Sequence, residues 1–177
     1  LIEWLADEPH SEAEAVLRHL IDINPGSDWA RRELAINLAR QHRYDEALAL
    51  METAREMAKA ETYTYSTLGF IHLRRGNASE AREQLRAALA LSIDNDYALN
   101  ALIESGTTLA QRQEDLDFIR QELVRQVTLG DSLLSFQDAA QRTLASDELL
   151  QVLRDAWRER PDLWQSWVAL GAQLTDM

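Results

Sequence analysis

The side chains able to do chemistry are few and scattered. Four histidines occur, His10, His19, His42 and His72. A zinc-binding helix needs two of them four residues apart around a glutamate, and no pair has that spacing. Asp94-Asn95-Asp96 resembles the start of a calcium loop, but the central glycine and the closing glutamate are missing, so the run reads as a turn and a helix cap. The acid pairs Asp45-Glu46 and Glu114-Asp115 are expected at helix starts, where carboxylates complement the helix dipole. No glycine-rich phosphate loop and no serine elbow occurs. With no cysteine in the chain, disulfides and thiolate metal sites are excluded. The expectation is therefore no catalytic, cofactor-binding or metal-binding residue, and no enzyme.

What recurs instead is a set of side chains suited to contact. Trp29, Tyr63 and Tyr97 stand 34 residues apart. Arg40 and Arg74 share that spacing, and Arg142 continues it after a gap at Thr108. Ile36, Phe70 and Glu104 form a third series, and Arg32, Ser66 and Asn100 a fourth. Aromatic rings give apolar contact at small entropic cost, and arginine forks onto carboxylates. Two readings fit the regularity. The rings and arginines line a shared binding face, or the rings wedge between neighbouring elements and the arginines are solvated helix ends, where their charge is favourable anyway.

The elements that position these residues follow from residues 62–95. Leu68, Phe70, Ile71 and Leu73 belong to one helix and Leu85, Ala88, Leu89 and Leu91 to another, with Arg74-Arg75-Gly76-Asn77 between them. Gly76 suits the left-handed conformation that ends a helix. The small residues Gly69 and Ala81 are expected where the two backbones cross. Sliding by 34 residues carries Ala81 back to Ala47 and Ala13, Leu85 to Met51 and Leu17, and Leu68-Gly69 forward to Leu170-Gly171. Self-similarity at one period outweighs any single motif as a fold signal.

This pattern resembles the tetratricopeptide repeat family, whose signature is W-x2-L-G-x2-Y, then A-x3-F, then P. It is carried by Trp167-x2-Leu170-Gly171, by Tyr65-x2-Leu68-Gly69-x2-His72, by Ala81-x3-Leu85, and by Pro25 and Pro161. His72 falls where the family favours an aromatic ring and reads as a packing residue. The resemblance implies an all-α chain, an α-solenoid of antiparallel helix pairs in 34-residue repeats forming a right-handed superhelix, with about eleven helices. The windows would be 1–27 (partial), 28–61, 62–95, 96–129, 130–163 and 164–177 (partial), one solenoid segment belonging to a longer protein, since the chain opens on Leu1 rather than Met.

Within the windows, Leu1 to Leu5 are expected to be the tail of a first helix, with Trp4 and Leu5 apolar. Ser11 and Glu14 are expected to form a capping box ahead of a helix to Ile23. The second window should hold helices over Asp28–Gln41 and Asp45–Lys59. In the fourth, Leu99, Leu102, Ile103 and Leu109 belong to the first helix and Leu116, Ile119, Leu123 and Val127 to the second. Asp115 there replaces the small crossing residue and is expected to face solvent, because a buried unpaired carboxylate is costly. In the fifth, Leu133, Phe136 and Ala140 precede a helix capped by Ser146, and Gln137 takes the crossing position. The last window is a single helix whose apolar face is Trp164, Trp167 and Leu170.

The resemblance also implies a function. Members bind extended peptides along the concave side made by first helices, which here would present Trp29, Arg32, Ile36, Arg40, Tyr63, Ser66, Phe70, Arg74, Tyr97, Asn100, Glu104 and Arg142. The expected function is a protein- or peptide-binding scaffold. Alternatives are a regulatory or targeting part of a larger enzyme, or a segment of a bacterial polysaccharide-export apparatus. The carboxylate clamp of some members would fall on Arg32, Ile36, Thr67, Tyr97 and Ala101, of which only Arg32 is basic, which argues against chaperone tails as ligands.

Composition agrees with a folded, soluble helical chain: 46% hydrophobic, 27% charged, six glycines and three prolines. A net charge of −12 argues against nucleic-acid partners and anionic membranes. No apolar run approaches the roughly 18 residues that cross a bilayer. Lys59 is the single lysine among many arginines, a usage expected of a GC-rich bacterial genome. The compartment stays open between cytoplasm and periplasm, and self-association through terminal helices is a further expectation.

Overall fold

Residues 10–57, 61–126 and 130–177 are described in a computed structural model. The expected helix tail at 1–5, with Trp4 and Leu5, the helix end at Lys59, and Val127 lie outside the described residues. Among the described residues there are ten helices and no strand: α1 (His10–Ile23), α2 (Asp28–Arg40), α3 (Tyr44–Met57), α4 (Thr62–Arg75), α5 (Ala78–Leu91), α6 (Asp96–Ser105), α7 (Leu109–Arg125), α8 (Asp131–Ala140), α9 (Ser146–Glu159) and α10 (Trp164–Thr175). The chain divides into two compact units, Leu1–Gln84 and Leu85–Met177.

In the first unit α2 packs on α1, α3 and α4, and α3 packs on α4. In the second, α6 packs on α7 and α8, α8 on α9 and α10, and α9 on α10, with smaller contacts of α7 to α8 and α9. Within the units α2 thus meets α4, α6 meets α8 and α8 meets α10, each the equivalent helix one repeat away, the pattern of an α-solenoid of helix pairs. Connections of a few residues make consecutive helices antiparallel.

The 34-residue period is carried by buried side chains. Leu34, Leu68, Leu102 and Phe136 share one repeat position, and Leu17, Met51, Leu85, Ile119 and Leu153 a second, all with almost no exposed surface. Each such side chain contributes about 1.5–3 kcal/mol on burial. Gly69 and Ala81 are both buried, as small crossing residues should be. A further small position, Ala30, Thr64, Ala98, Ser132 and Ser166, is buried near the start of each first helix.

Turn chemistry repeats with the same period. Gly76 ends α4 at φ 91°, with its N–H on the Leu73 carbonyl and the Asn77 N–H on that of His72. This double closure is a Schellman motif. One repeat earlier His42 stands in the same place at φ 63°, with His42 N–H on Ala39 O and Arg43 N–H on Leu38 O. Its ring packs edge-on against Tyr44 and lies 2.7 Å from the Tyr44 hydroxyl.

Several local expectations are corrected. Ser11 lies inside α1, and the Glu14 carboxylate is taken by Arg18 at 2.7 Å, Arg43 at 2.6 Å and Gln41 at 3.2 Å rather than by a capping box. Burial pushes this carboxyl up, but those hydrogen bonds outweigh it and hold Glu14 below the usual range. Ser146 is the first residue of α9, and the cap position is Ala145, without a side-chain cap. Leu109 belongs to α7, not to the preceding helix. Gly106 and the β-branched Thr107 and Thr108 stop α6 early, and the Thr108 hydroxyl then accepts the Gln111 N–H and starts α7.

The largest correction concerns Asp115. It is 0% exposed rather than solvent-facing. Its Oδ1 accepts from Arg86 Nη2 at 2.7 Å and Nε at 2.9 Å. The Arg86 guanidinium also reaches Glu114 at 3.4 Å and lies 5.4 Å from the Phe118 ring centroid. The acid pair therefore does not mark a helix start. A charge sits at the crossing because α5 supplies a guanidinium to meet it.

The end of α5 is finished by α7 in the same manner. Gln126 Oε1 accepts the buried Ile93 N–H at 2.8 Å, and its Nε2 donates to the Leu89 carbonyl at 2.7 Å. Arg125 Nη2 donates to the Ala90 carbonyl at 2.8 Å. Carbonyls in the last turn of a helix have no partner within it, and here two side chains from α7 provide them.

Candidate functional site

The residues singled out by their 34-residue spacing stand on first helices, and each unit presents its own set. In the first unit α2 and α4 lie side by side. Trp29, Arg32, Ile36 and Arg40 are three or four residues apart along α2, which puts them on one face. Trp29 and Phe70 are half-buried against the core that contains Leu34, Leu38 and Leu68. Tyr63 is 59% exposed. The Arg32 guanidinium lies 5.5 Å from the Tyr63 ring centroid and 3.7 Å from the Glu61 carboxylate, so a cation–π contact and an ion pair join α2 to the start of α4. Arg40 and Arg74 are exposed near the C-terminal ends of the two helices.

Two features of this face were not among the expected residues. Glu33 follows Arg32; burial pushes its carboxyl up, against the attraction of Arg40 and Arg32. Glu61 bounds the other side of Arg32. Glu33 stands next to a periodic arginine in the sequence, a signal that could have found it; Glu61, 29 residues from Arg32, carries no such signal. Ser66 is buried and donates to the Tyr63 carbonyl at 3.2 Å, and Thr67 donates to the same carbonyl at 2.8 Å, so Ser66 braces the helix start beneath Tyr63 instead of facing outward.

In the second unit Tyr97, Asn100 and Glu104 follow one face of α6. Tyr97 is half-exposed; burial of the remainder and the neighbouring Glu104 charge push its phenol up to about 12. Asn100 donates to the Asp96 carbonyl at 3.0 Å. An open cleft of about 590 Å³ is lined by Asn100, Ile103, Glu104, Arg112, Asp138, Ala139, Arg142 and Thr143. It gathers three of the expected residues, Asn100, Glu104 and Arg142. Arg142 lies 4.0 Å from Asp138, and both are largely exposed. Arg112 donates to the Gly106 carbonyl at 2.9 Å, and a Cβ on Gly106 would come within 2.7 Å of Arg112 Cγ. Glycine is thus what lets the arginine stem lie across the end of α6. Arg112 has no counterpart in the periodic series because it arrives with the early start of α7.

The chemistry of the faces differs between units. The series Ile36, Phe70 becomes Glu104, Asp138, and the series Trp29, Tyr63, Tyr97 becomes Asp131. The first unit's face is aromatic and mainly cationic. The second unit's cleft mixes two carboxylates with two guanidiniums. Neither holds the nucleophile, base and orienting group that covalent catalysis needs. Among the described residues no group of three or more His, Asp or Glu side chains could hold a metal ion. Asn95 caps α6 by accepting the Ala98 N–H at 3.0 Å, and Asp96 accepts from Ser135 at 2.8 Å, so Asp94-Asn95-Asp96 acts as the expected turn and cap. Among the described residues no helix is long and apolar enough to cross a membrane.

Residues 5–69 match the tetratricopeptide repeat family. No curated protein matches the chain. Among solved structures, the chain is similar to a crystal structure of the APC/C hetero-tetramer Cut9-Hcn1, at 17% identity and a TM-score of 0.53 over 94% of this chain and 34% of that one. It is also similar to the C-terminal part of a TPR repeat-containing protein from Cytophaga hutchinsonii, at 14% identity and a TM-score of 0.51 over 93% of this chain and 65% of that one. The chain therefore spans about a third and just under two thirds of these two solved chains, and the likeness is one of fold.

Proposed function

We propose that this chain, which matches the tetratricopeptide repeat family over residues 5–69 and shares the fold of such proteins, generally a non-catalytic scaffold that binds proteins or peptides, is an adaptor module that grips an extended segment of a protein partner on its first-helix faces. The observation that carries the reading is the Arg32–Tyr63 contact joining α2 to α4. It holds a guanidinium and an aromatic ring in fixed relation on the face that also carries Trp29, Ile36, Arg40, Phe70 and Arg74, so little side-chain freedom is left to lose on binding. In this reading the ligand is extended, offers apolar side chains to Trp29, Tyr63 and Phe70, and places carboxylates on Arg40 and Arg74. Tyr97, Asn100, Glu104 and Arg142 are the contacts proposed for the second unit.

The test is a panel of fluorescent extended peptides, apolar-acidic, apolar-basic and polar, titrated by anisotropy at two salt concentrations. The apolar-acidic set should bind best and weaken modestly with salt, because the protein's overall charge is negative and only local arginines attract it. The double substitution Tyr63→Ala and Arg74→Ala should lower affinity about ten-fold or more, since aromatic and arginine anchors commonly carry over ~1 kcal/mol each. Helical content should be unchanged. Equal affinity of the double variant and the parent would move the rings to a packing role between repeats.

A further inference from the structure

Building on the first unit's face as a seat for an extended segment, we infer that its ligand is a proline-rich stretch of a partner protein in the polyproline II conformation, with an acidic side chain at every third position. Three rows cross this face. Trp29 and Tyr63 form the first, Ile36 and Phe70 the second, and Arg40 and Arg74 the third, each with one member on α2 and its counterpart 34 residues later on α4. α2 and α4, both antiparallel to α3, run parallel and pack directly on each other. Arg32 bridges them, reaching from α2 to the Glu61 carboxylate at 3.7 Å and to within 5.5 Å of the Tyr63 ring centroid. Helices packed this closely have axes about 8–10 Å apart, so a chain lying across them meets the next member of each row after a step of about that length.

Backbone geometry selects among ligands. A β-strand returns a side chain to the same side every second residue, at steps of about 6.6 and then about 13 Å, and neither meets the spacing. An α-helix makes the step only after seven residues, about 10.5 Å, and brings one stripe against three rows. Polyproline II turns once in three residues with a rise of about 3.1 Å each, so every third side chain recurs at about 9.3 Å, inside the helix spacing. Its side chains also leave the axis in three rows. With one row on Ile36 and Phe70, the other two splay toward the aromatic rim and the arginine rim. Trp29 and Arg40 stand seven and four residues from Ile36 along α2, about 10 and 6 Å away, within reach of one central chain. Charge then fixes which residue recurs. Arg40 and Arg74 are exposed, and among the described residues neither is held in an ion pair, whereas Arg75 beside Arg74 is taken by Asp45 at 2.9 Å. Two such guanidiniums one repeat apart, on a protein of net charge −12, call for two carboxylates one polyproline turn apart. A backbone already fixed in this conformation has little freedom left to lose on binding.

The experiment titrates the 177-residue chain against fluorescent peptides built on one proline-rich host. Three carry two glutamates set two, three or four positions apart, at identical composition, and a fourth carries lysines three apart. By anisotropy the three-position glutamate peptide should bind about ten-fold or more tightly than the other two, since only it seats both carboxylates. Arg74→Ala should bring that peptide to the level of the others. Arg75→Ala removes an equal charge next door and should leave the preference intact. The polyproline signature of the bound peptide should persist in the far-UV difference spectrum. Equal affinity at every spacing, with binding still lost in the Tyr63→Ala, Arg74→Ala variant, overturns the three-residue register but leaves the face as a seat for extended segments. An equal loss of preference in Arg75→Ala, or a helical or strand signal gained on binding, also overturns the register. Binding of no peptide, or equal binding of the lysine peptide, overturns the register and the seat together.

Discussion

Removing the Arg86 guanidinium should destabilise the protein far more than removing its partner. Asp115 is wholly buried, and both contacts from Arg86 fall on one of its oxygens, at 2.7 and 2.9 Å. Arg86→Ala takes one bidentate countercharge from a buried carboxylate, and losing one member of a buried pair costs up to about 3–5 kcal/mol in proteins. The Arg86 side chain is itself 29% exposed, so the lower end of that range applies. Asp115→Ala instead restores the residue found at Ala13, Ala47 and Ala81. Arg86 then keeps Glu114 and the Phe118 ring and can turn to water, so the loss should be about 1 kcal/mol or less. The double variant should resemble Asp115→Ala alone, giving a coupling of about 3 kcal/mol. Urea titrations of the four proteins by far-UV circular dichroism, compared at equal slope, measure this cycle. Equal losses for the two single variants, or additive losses in the double, would refute the idea that the pair is what makes the charge tolerable.

His42→Gly should raise stability by up to about 1 kcal/mol, because it removes a side chain from a left-handed residue, less whatever the Tyr44 contact contributes; thermal melts decide it. Gly69→Leu should cost about 1–3 kcal/mol by overpacking a buried crossing, while Gln137→Leu, at a half-buried one, should cost less; equal losses in urea would count against the alignment of the repeats. Glu14 is held below its ordinary value of 4.5 in the folded chain, so its contribution is complete above that value and is lost as pH falls through the folded value. Acid titration of stability should accordingly be shallower in Glu14→Gln than in the parent.

The period and the helix pairs were legible because burial acts on residues one at a time: Leu34, Leu68, Leu102 and Phe136 announce themselves by type and spacing. The left-handed turn at Gly76 was legible for the same reason. What the sequence hid were pairings over distance. Asp115 looks like a surface residue until Arg86, 29 positions earlier, is known to reach it. Ser11-x2-Glu14 spells a capping box, yet Arg43 outbids the backbone for the carboxylate. Leu109 fits the apolar period of the preceding helix, but three weak helix formers, Gly106, Thr107 and Thr108, overrule it. Of the candidate binding residues, Tyr63, Arg40, Arg74 and Arg142 are exposed. Ser66 shares the spacing but is buried, because period alone does not say which way a short side chain turns.

The side-chain closure of α5 by Gln126 and Arg125 has a consequence for how the repeats unfold. A helix whose last carbonyls are met by its own turn can persist when its neighbours melt. The end of α5 has its partners on α7, so fraying of α7 at once exposes Leu89 and Ala90 carbonyls and the Ile93 amide. The two helix ends should therefore open as one cooperative event. In native-state hydrogen exchange, the Ile93 amide should exchange with the free energy of the α7 C-terminal turn rather than that of α5, and Gln126→Ala should speed its exchange while leaving amides in the middle of α5 slow.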